Sequence, residues 1–370
     1  MRVLIAPDDF KGTLTATEAA EAIAAGWRWS APDDALTLLP LSDGGPGFVQ
    51  VTAGATDAEM VPVGVRGPMG ETAIGVVAVV ESTAYIESAH GCGLALVHPD
   101  RRDAGAATSF GVGQLIAAAV DSGARTIVVG LGGTASTDAG AGMLAALGAT
   151  ATDSGGAAIP LDEGGAALVD VASVDLAPAL SRLDGVELVA ASDVVAPLLG
   201  PQGAARGFAP QKGADPEVVE RLEQSLRTFA RACEPEGPVR VDAQGSGAAG
   251  GLGFALLLLG ARRVAGFDVV RQAVGLDDAI DDCDLIVTGE GSFDWQSLRG
   301  KAIAGLAAAG LDRGLPVVVI AGRVEVGRRE SSALGITEAY AIGEEPGVNP
   351  GAVLARAAAR VAEQWSRPPV

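Results

Sequence analysis

Lysine is nearly missing from this 370-residue chain. Three occur among 26 Lys and Arg, so 26 − 3 = 23 of the basic residues are arginine. Asparagine occurs once, at Asn349, and histidine twice, at His90 and His98. The three cysteines, Cys92, Cys233 and Cys283, are scattered. Their spacing excludes a Cys/His zinc framework and a disulfide scaffold, and fits a reducing cytoplasm. Aromatic residues make up only 4%, so the cores have to be built from Ala, Val, Leu and Ile. No signal-like apolar run follows Met1, and the longest apolar block, Phe254 to Leu259, falls far short of the ~20 residues of a membrane helix. A net charge of −20 leaves no basic face for nucleic acid. These absences predict a cytoplasmic protein, monomeric or homodimeric, whose partners are small molecules rather than nucleic acid or membrane.

The lysines that remain are informative. Lys11, Lys212 and Lys301 each adjoin a glycine. Lysine carries a compact charge on a thin stem and reaches crowded phosphate oxygens that a planar guanidinium does not. An adjacent glycine lets backbone approach a ligand closely. In so acidic a chain an anionic substrate needs such local cations, or a bound metal. The pattern points to phosphate handling.

Short apolar runs alternate with Ala-rich helical stretches, the α/β signature. Strands are expected at Val3–Ala6, Thr126–Gly130, Val186–Ala191, Leu285–Thr288 and Pro316–Ala321, apolar enough to be buried on both faces of a parallel sheet. Thr15-Ala16-Thr17-Glu18 has capping-box spacing and predicts a helix running to Trp29. Alternation through Val61 to Ala89 predicts antiparallel strands at the entry to a second domain. A length of 370 suits about two domains.

Five segments carry candidate chemistry. Asp43-Gly44-Gly45-Pro46-Gly47 sets a carboxylate beside exposed N–H groups, or is an ordinary tight turn. Gly130 to Gly140, with Gly132, Gly133, Thr134, Ser136 and Asp138, follows a strand and opens a helix, an anion-binding arrangement or a glycine connector capped by Thr137 or Asp138. Asp193 ends a strand, and the long loop after it brings Gln211 and Lys212. Gly245 to Gly250 is a weak G-x-G-x-x-G match whose preceding residues make a poor strand, so close helix packing competes with dinucleotide binding. Leu285 to Lys301 delivers Glu290, Gly291, Asp294, Gln296, Ser297 and Lys301 from a buried strand, a set suited to metal and phosphate together. No P-loop or protein-kinase motif set is present.

In combination and order these segments resemble the bacterial glycerate kinases that lack a P-loop. The family's Pro-Asp-Ser-Phe-Lys-Gly start is similar to Pro7-Asp8-Asp9-Phe10-Lys11-Gly12, and its Asp-Gly-Gly loop to Asp43-Gly44-Gly45. Its Gly-Pro-Gln-Lys-Gly-Ala stretch is matched through Pro210-Gln211-Lys212-Gly213-Ala214, and its Thr-Gly-Glu-Gly…Gly-Lys segment by Thr288 through Lys301. The chain departs at Pro46 and Phe48 (family Glu and Thr), at Thr137-Asp138-Ala139-Gly140 (family Asn-Asp-Gly-Gly), and at Ala196 (family Asn).

The resemblance implies ATP- and Mg²⁺-dependent phosphorylation of D-glycerate, with 2-phosphoglycerate favoured over 3-phosphoglycerate. It also implies two α/β domains with a cleft between them: a discontinuous Rossmann/flavodoxin-like parallel-sheet domain of residues 1–62 plus 283–370, and an inserted α/β domain of residues 63–282. Lys11, Lys212 and Lys301 are expected to meet phosphate or substrate carboxylate. Asp43, Asp193, Glu290 and Asp294 are expected to supply metal ligands, Asp193 and Glu290 foremost, and the base that orients the hydroxyl. Asp8, Gly44, Gly45, Gly132, Gly133, Thr134, Ser136, Asp138, Gln211, Gly291, Gln296 and Ser297 are expected to line the substrate and nucleotide sites. Two other readings stand beside this one: a paralogue that is inactive or acts on another small hydroxy acid, and a dinucleotide-dependent oxidoreductase.

Overall fold

A computed structural model describes residues 1–10, 12–235, 237, 239–295, 297–298, 302–343 and 347–366. The chain separates into two compact units. Unit 1 comprises residues 1–43, 50–56 and 267–370, and unit 2 comprises residues 44–49 and 57–266. Residues 267–282, assigned to the inserted segment from sequence, pack within unit 1. Phe267 lies against Gly305, and Arg271 and Arg313 both pair with Asp277, at 2.6 Å and 3.2 Å.

Unit 1 is built on five parallel strands. Their order across the sheet is Glu338–Ala341, Val317–Ala321, Leu285–Thr288, Arg2–Ile5, Ala35–Leu38. Renumbered within the unit this is 2-1-3-4-5, the flavodoxin-like order. Three of these strands were expected from apolar runs, at Val3–Ala6, Leu285–Thr288 and Pro316–Ala321, within one residue of their observed bounds, whereas Ala35–Leu38 and Glu338–Ala341 were not. Alternate residues serve opposite faces, as the two-residue period of a strand requires. Val318 and Ile320 join a core with Ile23, Trp27 and Leu354, whereas Val319 and Ala321 join another with Phe293 and Ile303.

Helix Ala16–Ser30 covers the first of these faces. Thr15 caps it in the expected capping box, and Ala16, Ala19, Ala20, Ile23, Ala24 and Trp27 form its buried stripe. Helix Pro350–Trp365 packs beside it through Leu354, Ala357, Ala358 and Val361. Gly26 marks their closest approach, where a Cβ would overlap the carbonyl of Ala355.

Unit 2 carries a six-stranded mixed sheet, ordered Arg262–Val264, Glu187–Ala191, Thr126–Gly130, Thr83–Glu87, Thr72–Val80, Glu59–Arg66. The first four strands are mutually parallel and the last two antiparallel. The expected antiparallel stretch after Val61 is therefore present, and Thr83–Glu87 joins it to the parallel half. No strand precedes Gly245 among the described residues, so the structural context of a dinucleotide fingerprint is absent. Its glycines instead permit close packing: a Cβ on Gly247 would strike the Pro197 carbonyl, and one on Gly253 the Gly245 carbonyl.

Gly26→Ala should destabilise unit 1 by about 1–3 kcal/mol, although alanine has the better helix propensity, because the methyl group has to displace backbone. Urea unfolding monitored by circular dichroism measures this, and a neutral or stabilising result would show that the two helices separate easily.

Candidate active site

In an open parallel sheet, ligands bind beyond the carboxyl ends of the strands, at the point where successive connections turn in opposite directions. In unit 1 that point lies between Arg2–Ile5 and Leu285–Thr288. The chain leaves the first strand toward Ala35–Leu38, and leaves the second toward Val317–Ala321. The loops at this edge are stitched together. Asp8 N–H donates to the Gly289 carbonyl at 2.8 Å, Leu41 N–H to Pro7 at 2.9 Å, and the Thr288 hydroxyl to Ala6 at 2.7 Å.

Three adjacent strands thus bring Asp8, Asp43 and Glu290 to one edge. Burial, then the charges of Asp43, Asp9 and Glu290, hold the Asp8 carboxyl well above the usual carboxylate range, while the Asp9 N–H, donating at 2.8 Å, opposes this. The donors are all carboxylate oxygens, which suits a hard ion such as Mg²⁺. Among the described residues no group of three or more His, Cys, Asp or Glu side chains is placed to hold a metal ion. Asp294 and Gly291 lie in the same loop, half-buried. The Ser297 hydroxyl is committed to that loop, accepting from Asp294 N–H at 3.1 Å and donating to the Ser292 carbonyl at 3.4 Å. Lys11, Gln296 and Lys301 lie outside the described residues.

In unit 2 the parallel strands end at Glu87, Gly130, Ala191 and Val264, on one edge. The 44–47 loop packs there. A Cβ on Gly132 would lie 2.7 Å from Gly45 Cα, and one on Gly44 would lie 2.9 Å from the Ala191 carbonyl oxygen. Glu87, buried, accepts from Gly47 N–H at 3.0 Å and Val49 N–H at 3.4 Å. Sequence reading passed over Glu87, although the strand-end rule that selected Asp193 applies to it equally. Asp193 is half-buried and accepts from Gly266 N–H at 2.9 Å. Asp193 belongs to unit 2 and Glu290 to unit 1.

Lys212 is buried, and its ammonium is turned inward. It donates to the Ser136 carbonyl at 2.5 Å and to the Thr134 hydroxyl at 3.3 Å. Burial lowers its pKa from 10.5 to about 8, against the raising influence of Cys92 and Asp138. Burial also pushes the neighbouring Cys92 thiol up to about 12, which keeps it protonated. Asp138 is fully buried and accepts from Ser109 N–H at 2.8 Å, Ser109 Oγ at 2.7 Å, Gly140 N–H at 3.1 Å and Gly142 N–H at 3.2 Å. Burial raises its pKa in spite of these four donors.

Helix Ala141–Ala146 begins after Gly140, later than the sequence suggested. Two of its first-turn N–H groups, Gly142 and Met143, are taken by Asp138 and Ser109. Thr134, Ser136 and Asp138 are therefore interior residues that shape the loop, while Gly132 is half-buried and Gly133 and Gln211 are exposed. Beside them Ala249, Gly250 and Gly251 form a left-handed turn at φ 52°, 73° and 95°. A Cβ on Gly250 would strike the Ser136 carbonyl that Lys212 holds.

The glycerate kinase family profile matches residues 3–367. The chain belongs to the glycerate kinase family. It is 41% identical over 338 residues to the glycerate kinase of Bacillus subtilis, covering 90% of this chain and 87% of that one. It is 40% identical to the glycerate 2-kinase of Escherichia coli, covering 87% and 85%. An uncharacterised protein of Mycobacterium tuberculosis is 44% identical, with 94% and 85% covered. A crystal structure assigned as glycerate kinase 2 of Salmonella typhimurium LT2 superposes with a TM-score of 0.82 at 37% identity, covering 98% of both chains. Membership makes this chain an enzyme of the kinase class, with a nucleotide as one substrate. No helix among the described residues is long and apolar enough to cross a membrane.

The departures from the family pattern have visible settings. The Pro46 ring sits where a Cβ on Gly133 would approach it to 2.7 Å, and the buried Phe48 ring lies 6.1 Å from Tyr85. Ala139 adopts φ 52°, a left-handed conformation that glycine adopts without strain. At Ala196 the backbone carbonyl accepts from Gly247 N–H at 3.0 Å.

The Lys212 shift has a signed consequence. Its folded pKa lies below the unfolded value, so between about pH 8 and 10.5 the unfolded chain binds more protons and stability rises with pH. The destabilisation from burying the charge is complete below pH 8 and is relieved above it. Against Lys212→Met, the wild type should gain about 3 kcal/mol of relative stability across that interval. Denaturant melts at pH 7.5, 9 and 10.5 measure the difference, and parallel curves would place the ammonium in water.

Proposed function

We infer that the protein transfers the γ-phosphoryl group of ATP to a hydroxyl of D-glycerate with the help of Mg²⁺, giving 2-phosphoglycerate. The observation that carries this reading, within a family of kinases, is the carboxylate set Asp8, Asp43 and Glu290 at the sheet's switch point. Phosphoryl transfer asks the protein mainly for positioning and charge compensation. Asp43 and Glu290 would hold Mg²⁺, which supplies neutralisation of charge on the transferring phosphate. Asp8, with its carboxyl pKa raised by burial and by Asp43, is suited to accept the proton of the attacking hydroxyl nearer neutral pH than an ordinary aspartate would. Lys11 and Lys301 would meet the phosphates, and Asp193 and Asp294 would orient substrate hydroxyls. Lys212 acts through the loop whose Ser136 carbonyl it holds. A cytoplasmic location fits the free cysteines.

A second acceptor, another small hydroxy acid, is favoured by one observation. Pro46, exposed, presents apolar surface where the family carries Glu, and the buried Phe48 stands where the family carries Thr.

A coupled assay with ATP, Mg²⁺ and a panel of hydroxy acids decides between them. Turnover is expected with D-glycerate, with 2-phosphoglycerate as the product by ³¹P NMR. Asp8→Asn should lower kcat by roughly 10²–10⁴-fold. Protein that binds ATP but leaves D-glycerate untouched would refute the glycerate reading.

A further inference from the structure

Unit 2 holds a cavity of about 320 Å³ that uses none of the residues above. One wall is the last two turns of helix Pro216–Cys233, which contribute Arg227, Ala230 and Arg231. Leu199, Gly200, Val241 and Asp242 complete the lining. Arg227 and Arg231 are four residues apart, so they share one helix face. Arg227 reaches Glu223 at 3.3 Å, with its side chain 45% exposed. Arg231 and Asp242 are exposed, and neither forms a hydrogen bond or ion pair with any described residue. Ala230 and Val241 are buried and give the cavity an apolar floor.

Two guanidinium groups in one recess are unusual surroundings for solvent alone in a chain of net charge −20. The overall field repels anions, so an anion settles only where cations are gathered. The guanidinium fork matches carboxylate and phosphate oxygens in pairs. Asp242, in the same lining, can only accept, so it selects a hydroxyl donor. A second buried group responds to occupancy. Glu223 is 3% exposed; its Oε1 accepts from Arg227 and, at 2.8 Å, from Gly200 N–H, while its buried Oε2 has no partner. An anion that draws Arg227 away changes how Glu223 holds Gly200. Gly200 closes the segment that begins at Asp193, and Leu198 N–H in that segment donates to the Val241 carbonyl at 2.9 Å.

We propose that this cavity is a binding site for a small hydroxylated anion, with a carboxylate or phosphate head on Arg227 and Arg231 and a hydroxyl on Asp242. The ligand acts on the Asp193–Gly200 segment through Glu223. Binding is independent of turnover, so its failure is distinguishable from failure of the kinase reading.

Calorimetry on the full chain uses 3-phosphoglycerate and sulfate as probes. Wild type should show a 3-phosphoglycerate component that Arg231→Ala weakens at least about ten-fold, the loss expected for one charge-assisted contact. Asp242→Asn should weaken 3-phosphoglycerate and leave sulfate no weaker, because sulfate has no hydroxyl to donate and loses a like-charged neighbour. If Arg231→Ala melts like wild type and gives the same isotherms, the proposal is wrong. In wild type itself, the Nε–H NMR signals of Arg227 and Arg231 should shift on saturation with 3-phosphoglycerate. Signals that stay fixed would overturn the site without recourse to any variant.

Discussion

Backbone meets backbone in unit 2 with no room for a methyl group between. Gly132 faces Gly45, Gly44 faces Ala191, and Gly250 faces Ser136. This closeness brings the 44–47 loop, the 130–140 loop and the turn at 249–251 together as one surface. It also buries the peptide groups of those segments, which then need internal partners. Lys212 supplies one by holding the Ser136 carbonyl, and Asp138 supplies others by accepting four hydrogen bonds. The left-handed Ala139 and Ala249 are the strain that this arrangement carries. An ammonium ion is a demanding group to bury, and two of its donors here are met by the Ser136 carbonyl and the Thr134 hydroxyl.

Unit 1 poses the opposite problem. Its edge carries an excess of one charge, gathered by a parallel sheet that sends the ends of three neighbouring strands to one place. Burial, then the charge of Asp43, raises the pKa of Asp8. The two edges thus divide the chemistry, with acceptor oxygens in unit 1 and glycine-lined backbone with a locked lysine in unit 2.

Much of this was legible from residue order. Strand positions followed from apolar runs such as Leu285–Thr288, and the helix start at Thr15 followed from its capping box. Glu290 stood out just past a buried strand, Asp43 in its glycine-rich loop, and Asp8 through the motif that resembles the family's start. Other residues have settings that residue order does not disclose. Ser136, Thr134 and Asp138 read as ligand donors in a glycine loop, yet they are interior, because the 249–251 turn and Lys212 cover them from more than seventy residues away in the chain. Glu87 was overlooked because its setting looks like an ordinary strand end until the Gly47 and Val49 N–H groups that donate to it are seen.

The sequence by itself determined the α/β class, the parallel strands and the family, since these rest on local periodicity and on short motifs whose order survives without coordinates. It also determined that positive charge would be scarce enough for each lysine to matter. Only the tertiary structure decided which way Lys212 points, that residues 267–282 pack with the first unit, and that Arg227 and Arg231 share a cavity with Asp242. The direction of a side chain and its degree of burial depend on segments distant in sequence, and burial sets the dielectric in which a charge sits.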